Sequence, residues 1–383
     1  MSTPRFIDIH ALQTVPFSNL NRDDQGAPKT VIFGGAERTR ISSQSWKRAI
    51  RRKVEHILGD PAVRTRRVVR GVAERLEQQG WSQEEAEAAG RQVARSAGNG
   101  IKLERSRDEQ DEEVLTTSVL LYLPEAGMDE LTAIAAEHRD AVVAEEKKPE
   151  NKRKGVLPGE AIAEVLGHRN GTINLFGRML AELPGANVDG AVQFAHAFTT
   201  HGTRVEYDFF SAVDDVEQQL GIPGSGHINT AMFSSGTFYR YANIDLRGLA
   251  ANLGKDTATA RELVTVFLNA FITELPTGKT TATAPASVPD LVHIAVRDDR
   301  PLSFASAFET PVQSEGGHIT PSLSAVDAYA GSVNALLGID HRLWSGHTIA
   351  GEDKETTRLG DRHESFAALV AAAVTTAYDK EAE

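Results

Sequence analysis

RTRISSQSWKRAIRRK, residues 38–53, carries seven cations, Arg38, Arg40, Lys47, Arg48, Arg51, Arg52 and Lys53, and no acid. From Ser42 onward the apolar residues Trp46, Ile50, Val54 and Ile57 or Leu58 recur on one side, while Lys47, Arg48, Arg51 and Arg52 fall on the other flank. The spacing predicts an amphipathic helix with a basic face. Its start, Ser42-Ser43-Gln44-Ser45, places hydroxyls, an amide and free backbone N–H groups at the positive end of a helix dipole, where a phosphate is stabilised. Lys47 and Arg51 lie one turn apart, as do Arg48 and Arg52, so one face can follow several phosphates. The plainer reading of the same residues is a serine cap on a solvated basic helix.

Around this stretch the composition is acidic. The 383-residue chain has a net charge of -12, so the +7 of residues 38–53 leaves -19 to the remainder. One basic surface on an acidic body suits a protein that holds one polyanion in one place. The 40% hydrophobic content allows a large core, in one elaborated domain or several. Cysteine is absent, which excludes disulfides, thiolate metal sites and a cysteine nucleophile and agrees with a reducing compartment. No apolar run reaches the roughly 18 residues of a membrane span, and MSTPRFIDIH lacks the apolar core of a signal peptide; a cytoplasmic, membrane-free location is expected.

Along the chain, RFIDIHALQT (5–14) reads as an imperfect strand with one apolar face, followed by a long loop to about Ile32. Asp60-Pro61 predicts a helix start that Gly80 ends, and Ser82 with Glu85 has capping-box spacing. Residues 60–150 read as helical and charged, ending in EEKKPENKRKG (145–155), a solvated linker or disordered loop. GTINLFGRM (171–179), TFYRYANI (237–244) and LVHIAV (291–296) read as strands, 257–272 as a helix and SFAALVAAAVTTAY (365–378) as a final helix. The fold class is α+β: one sheet assembled from distant pieces, with a helical insertion.

Three further segments bear on chemistry. NLNRDDQGAPK (19–29) adds Arg22 and Lys29, with Asp23 and Asp24 read as turn caps or partners of Arg22 or Arg38. No HExxH spacing exists among the 12 histidines to complete a metal site with them. Gly278-Lys279-Thr280 ends like a phosphate-binding loop, but Thr273 stands where that motif needs glycine; Lys279 is left as a point charge for a phosphate or a neighbouring subunit. Residues 199–235, beginning TTHGTRVEYDFF, read as a projecting hairpin whose Tyr207, Phe209, Phe210, Val213 and Ile228 either pack in a core or stack on bases, each aromatic stack contributing about 1–3 kcal/mol.

FGGAERTRISSQSWKRAIR (33–51), NLNRDD (19–24), GAVQFAHAFTTH (190–201), DFFSAVDD (208–215) and FSSGTFYRYANI (233–244) together resemble the CasC-type backbone subunits of type I-E CRISPR Cascade complexes, in the RAMP superfamily. The resemblance covers most of residues 5–60 and 170–312. It implies a modified RNA-recognition-motif, ferredoxin-like palm (1–59, 159–198 and 236–312), a helical fingers insertion (60–158), a β-hairpin thumb (199–235) and a C-terminal helical segment packing on the palm (313–383). It implies copies in a helical filament along a CRISPR guide RNA, beside other Cascade subunits, with the guide displayed for pairing to a target DNA strand. No catalysis, cofactor or metal is implied. RNA-binding residues would be Arg22, Lys29, Ser42, Gln44, Lys47, Arg48, Arg51, Arg178 and Met179, and Phe209, Phe210, Ser211, Val213 and Ile228 would wedge between bases from the thumb. Phe209-Phe210 stands where a tryptophan-phenylalanine pair is familiar in the family. Related backbone subunits cut RNA with a loop aspartate, so a metal-dependent endonuclease using Asp23, Asp24, Asp214 or Asp215 is the alternative.

Overall fold

The computed structural model describes residues 3–98, 100–107, 111, 113–212, 227–351 and 356–379. The chain forms two compact units, residues 1–53, 192–250 and 256–383 in one and residues 54–191 and 251–255 in the other. Among the described residues the first unit holds a ten-stranded sheet: β1 (Phe6–Ser18), β2 (Thr30–Phe33), β3 (Ala36–Ile41), β4 (Val192–Phe194), β5 (Ala197–Thr199), β6 (Glu206–Ala212), β7 (His227–Asp245), β8 (Leu291–Arg297), β9 (Arg342–Ile349) and β10 (Asp361–Arg362). Its helices include α1 (Ser43–Leu58), which continues into the second unit, α2 (Thr257–Thr273), α3 (Ile319–Leu337) and α4 (Phe366–Tyr378). The strand order is β10-β9-β8-β1-β7-β5-β3-β2, with β4 and β6 also paired to β7.

β1 lies at the centre, antiparallel to β7 and β8, and is buried on both faces rather than the one its alternation predicts. Ile7, Ile9 and Ala11 fill one face; Asp8, His10 and Leu12 fill the other. The Asp8 carboxylate and one ring nitrogen of His10 find partners, while among the described residues His10 Nε2 is buried without one. Asp8 accepts from Tyr241 Oη at 2.7 Å and from the Leu302 amide at 3.1 Å, and His10 Nδ1 lies 2.9 Å from Tyr239 Oη with its ring stacked on Phe304. The loop expected up to Ile32 already contains part of β2, and β3 occupies the front of the basic stretch. Residues 313–383, expected to be helical, also contribute β9 and β10 to the sheet, while α4 packs on α2, β8 and β9. The strands at 237–244 and 291–296 and the helices at 257–272 and 365–378 lie where periodicity predicts them.

The second unit packs helices Val68–Gln78, Gln83–Ser96, Glu125–Glu137 and Gly159–Gly167 around Val72, Leu76, Val93, Leu131 and Ile162. Ser82 caps its helix as predicted, accepting from the Glu85 amide, and Gly80 sits at φ +90°. Asp60-Pro61 does not open a helix: Ala62–Thr65 is a strand paired with Leu121–Pro124, where a partner 60 residues away outweighs the local start signal. Residues 145–155 are tied down, since Glu146 pairs with Arg153 at 2.6 Å and Arg91 at 2.7 Å and Glu145 accepts the Lys154 amide. The expected strand at 171–179 is instead a short helix, Gly171–Phe176, because Asn170 caps the Ile173 amide and Gly177, at φ +78°, ends it.

Candidate nucleic-acid interface

The basic face of α1 points outward because its other face is locked inward. Trp46, Ile50 and Val54 are fully buried, whereas Ile57 is exposed. The guanidinium of Arg240 lies 3.8 Å from the Trp46 ring centroid and 4.5 Å from that of Phe271. Arg240 donates to Gln13 Oε1 at 2.5 Å and to the Phe271 carbonyl, and among the described residues no carboxylate pairs with it. Burial pulls its pKa down to about 9. At the helix start, Ser42 Oγ accepts from the Ser45 amide and the Ser42 amide donates to Asn21 Oδ1 at 2.8 Å. The serine cap and the basic face therefore coexist, and the cap joins α1 to the 19–29 loop.

That loop is folded by its own polar groups. Asp23 Oδ1 accepts from the amides of Gln25 and Ala27, as a turn cap does, and the Lys29 amide donates to the Asn21 carbonyl. Arg22 and Asp24 are exposed and Lys29 is half-buried. On α1, Gln44, Arg48 and Arg52 are exposed, Lys47 and Arg51 half-buried and Ser42 buried. Arg22, Arg48 and Arg52 line one cavity of about 540 Å³, together with Asp23, Asp24, Thr277 and Gly278, so three cations face two carboxylates there. Sequence reasoning did not place the 277–278 loop here. Its signal is Gly278, where a Cβ would strike the Leu20 carbonyl. The helical turn after it, Thr280–Thr283, spans only four residues.

Two ends of the basic stretch do not belong to this face. Arg38 is fully buried, its guanidinium donating to the carbonyls of Thr199 at 2.8 Å and Phe308 at 3.0 Å, so it joins β3 to β5 and the 305–308 turn. Lys53 pairs with Glu274 at 3.5 Å. Arg40 donates to the Thr30 carbonyl across β2 and β3. The outward cations of the stretch are thus concentrated between Lys47 and Arg52.

The 199–235 segment does form a two-stranded ribbon, β6 paired with the outer part of β7. Phe209 is 67% exposed and Phe210 44%, so neither is a core residue. As sequence neighbours on a strand they point to opposite faces. Phe209 shares its face with Tyr207 and Ser211, and Phe210 shares the other with Asp208; Ser211 is paired with Ile228 in the ladder. Val213, Asp214 and Asp215 lie outside the described residues. In the second unit, Met179 is 86% exposed, but Arg178 is buried and gives four N–H bonds to the carbonyls of Ala186, Tyr122, His168 and Gly167. Arg178 therefore holds the 167–188 backbone together. Among the described residues no cluster of three or more His, Asp or Glu is arranged to hold a metal ion, and no helix is long and apolar enough to cross a membrane.

Fold and surface together define an α+β protein with a cation-lined helix face, a cavity beside it and an aromatic ribbon projecting from the same sheet. The chain belongs to the CT1975-like protein family, whose model matches residues 7–372. Among solved structures it is similar to a chain of a "CRISPR RNA-guided surveillance complex, pre-nicking", with 52% identity and a TM-score of 0.90 over 97% of this chain and all of that one. A chain of a second "CRISPR RNA-guided surveillance complex" is 46% identical, with a TM-score of 0.81 over 97% of this chain and 99% of that one. No curated protein matches.

Proposed function

We propose that this protein is a non-catalytic, guide-RNA-binding backbone subunit of a Cascade-type CRISPR surveillance complex. The observation that carries the reading is the outward cationic arc of α1, with Arg48 and Arg52 meeting Arg22 at one cavity, in a chain matched end to end by a chain of such a complex. Phosphate contact through this face gives affinity without sequence preference, leaving the bases for pairing with a target DNA strand. The antiparallel order β8-β1-β7-β5, with α1 between β1 and β5 and α2 between β7 and β8, is the strand order of a ferredoxin-like, RNA-recognition-motif palm and supports assigning that role to the first unit. The ribbon of β6 and β7 is the thumb, and copies of the chain follow one another along the guide beside other subunits in the type I-E manner. The endonuclease reading is less favoured, because Asp23 Oδ1 already caps a turn.

The test is RNA binding by the purified chain together with incubation of RNA with protein and Mg²⁺ or Mn²⁺. Salt-sensitive, sequence-tolerant binding that Lys47→Glu with Arg51→Glu weakens at every sequence is expected, with the RNA left intact. Metal-dependent cleavage abolished by Asp23→Ala or Asp24→Ala would overturn the non-catalytic assignment.

A further inference from the structure

The ribbon's direction depends on how its two legs leave the sheet, and both legs are pinned by buried side chains. On the β7 leg, Asn19, buried at the head of the 19–29 loop, donates through Nδ2 to two carbonyls at once: Gly26 of its own loop at 2.8 Å and Met232 of the ribbon at 3.0 Å. One amide group therefore ties the loop that carries Arg22 to the strand that carries the ribbon. On the other leg, His201 follows β5 and lies against the point where β7 enters the sheet. Its Nε2 accepts from the Thr237 amide at 3.2 Å while Nδ1–H donates to the Gly202 carbonyl at 2.9 Å, which fixes one neutral tautomer. The ring stacks on His318 with centroids 3.6 Å apart. Gly236 makes this approach possible, since a Cβ there would stand 3.1 Å from His201 Nε2 and 2.8 Å from Thr199 Cγ2. Thr39 Oγ1 closes the gap between the legs, 2.9 Å from Thr203 Oγ1 and 2.5 Å from Ser234 Oγ.

We propose that Asn19 and His201 are positioning residues that set the angle of the ribbon relative to the phosphate-binding loop, so that gripping the backbone and displacing bases occur in a fixed register. Neither touches RNA. This inference rests on the proposed function, with the α1 face as the grip and the ribbon as the wedge. Asn19→Leu removes the bracket while keeping the side chain's branched heavy-atom shape, and His201→Leu removes the acceptor for Thr237, whereas His201→Gln returns an acceptor at about the Nε2 position.

RNA substituted with 2-aminopurine at successive positions is the probe. Its fluorescence rises where a base is unstacked, and total affinity is measured on the same samples. The parent is expected to show regularly spaced bright positions. Asn19→Leu and His201→Leu should keep RNA affinity within about threefold yet flatten the pattern by at least half, and His201→Gln should restore most of it. A parent with no pattern, or RNA binding indifferent to Lys47→Glu with Arg51→Glu, would remove the functional reading and this inference with it. A parent pattern that persists in both leucine variants would overturn the inference alone. Loss of affinity in step with loss of pattern, in both leucine variants and in His201→Gln, would also overturn it, since the residues would then act on folding or grip and not on register.

Discussion

Neutralising Arg22 and Arg48 together tests whether the cavity between the 19–29 loop and α1 holds phosphate. Both are exposed and line that cavity, and among the described residues neither forms an ion pair with a carboxylate, so the double change to glutamine removes charge with little effect on folding. For a single strand, each neutralised phosphate contributes about 0.7 to the slope of log affinity against log salt, so losing two lowers the slope by about 1.4. Between 50 and 200 mM salt a slope difference of that size corresponds to about a sevenfold change, so the variant's penalty should be about seven times larger at the lower salt. Fluorescence anisotropy of a labelled oligoribonucleotide across a salt series reads this directly, with Gln313→Glu as a remote surface control. An equal penalty at every salt concentration would mean that the arginines act through structure, and the phosphate assignment for this cavity would fall.

Trp46→Ala should destabilise the fold by about 3–5 kcal/mol, as removal of a fully buried tryptophan does, whereas Arg52→Ala on the outer face should stay within about 0.5 kcal/mol; urea denaturation compares the two. Acid should destabilise the protein through its buried histidines. Burial, with His347 nearby, holds His293 down to about 3, and burial with His293 holds His10 well below its ordinary value. The unfolded chain takes up these protons near pH 6.5 and the folded one does not, so their contribution is complete above pH 6.5 and lost as pH falls toward 3. Asp8 runs the other way: burial raises it to about 7, so its protonation favours the fold as pH drops from 7 toward 4, and Asp8→Asn should steepen the acid loss of the urea midpoint. A midpoint unchanged between pH 7 and pH 4 in both proteins would contradict this account. On the ribbon, Phe209→Ala should weaken RNA binding by about 1–3 kcal/mol and Phe210→Ala by less, because Phe209 shares its face with Tyr207; equal effects would argue against a one-faced wedge.

Local periodicity was enough to locate α1, α2, α4, β8 and the inner part of β7, and to show that one face of α1 is basic, because helix and strand repeats are properties of neighbouring residues. The cap at Ser82 was legible for the same reason. The fate of individual charges was not. Arg38 and Arg48 look alike in a string of cations, but Arg38 meets the carbonyls of Thr199 and Phe308, 161 and 270 positions away, and becomes a buried brace. Asp8 and His10 read as the wet side of a half-buried strand until α3 and the Phe304 loop cover that side. The helix at Gly171–Phe176 turned on the cap at Asn170 against strand-like composition, which short-range pattern alone does not resolve. Sequence by itself determined that a basic helix and an aromatic hairpin exist. Only tertiary structure decided that Arg22, Arg48 and Arg52 share one cavity with Thr277 and that Asn19 ties the loop beside it to the ribbon, because those meetings depend on pairings between segments more than 200 residues apart.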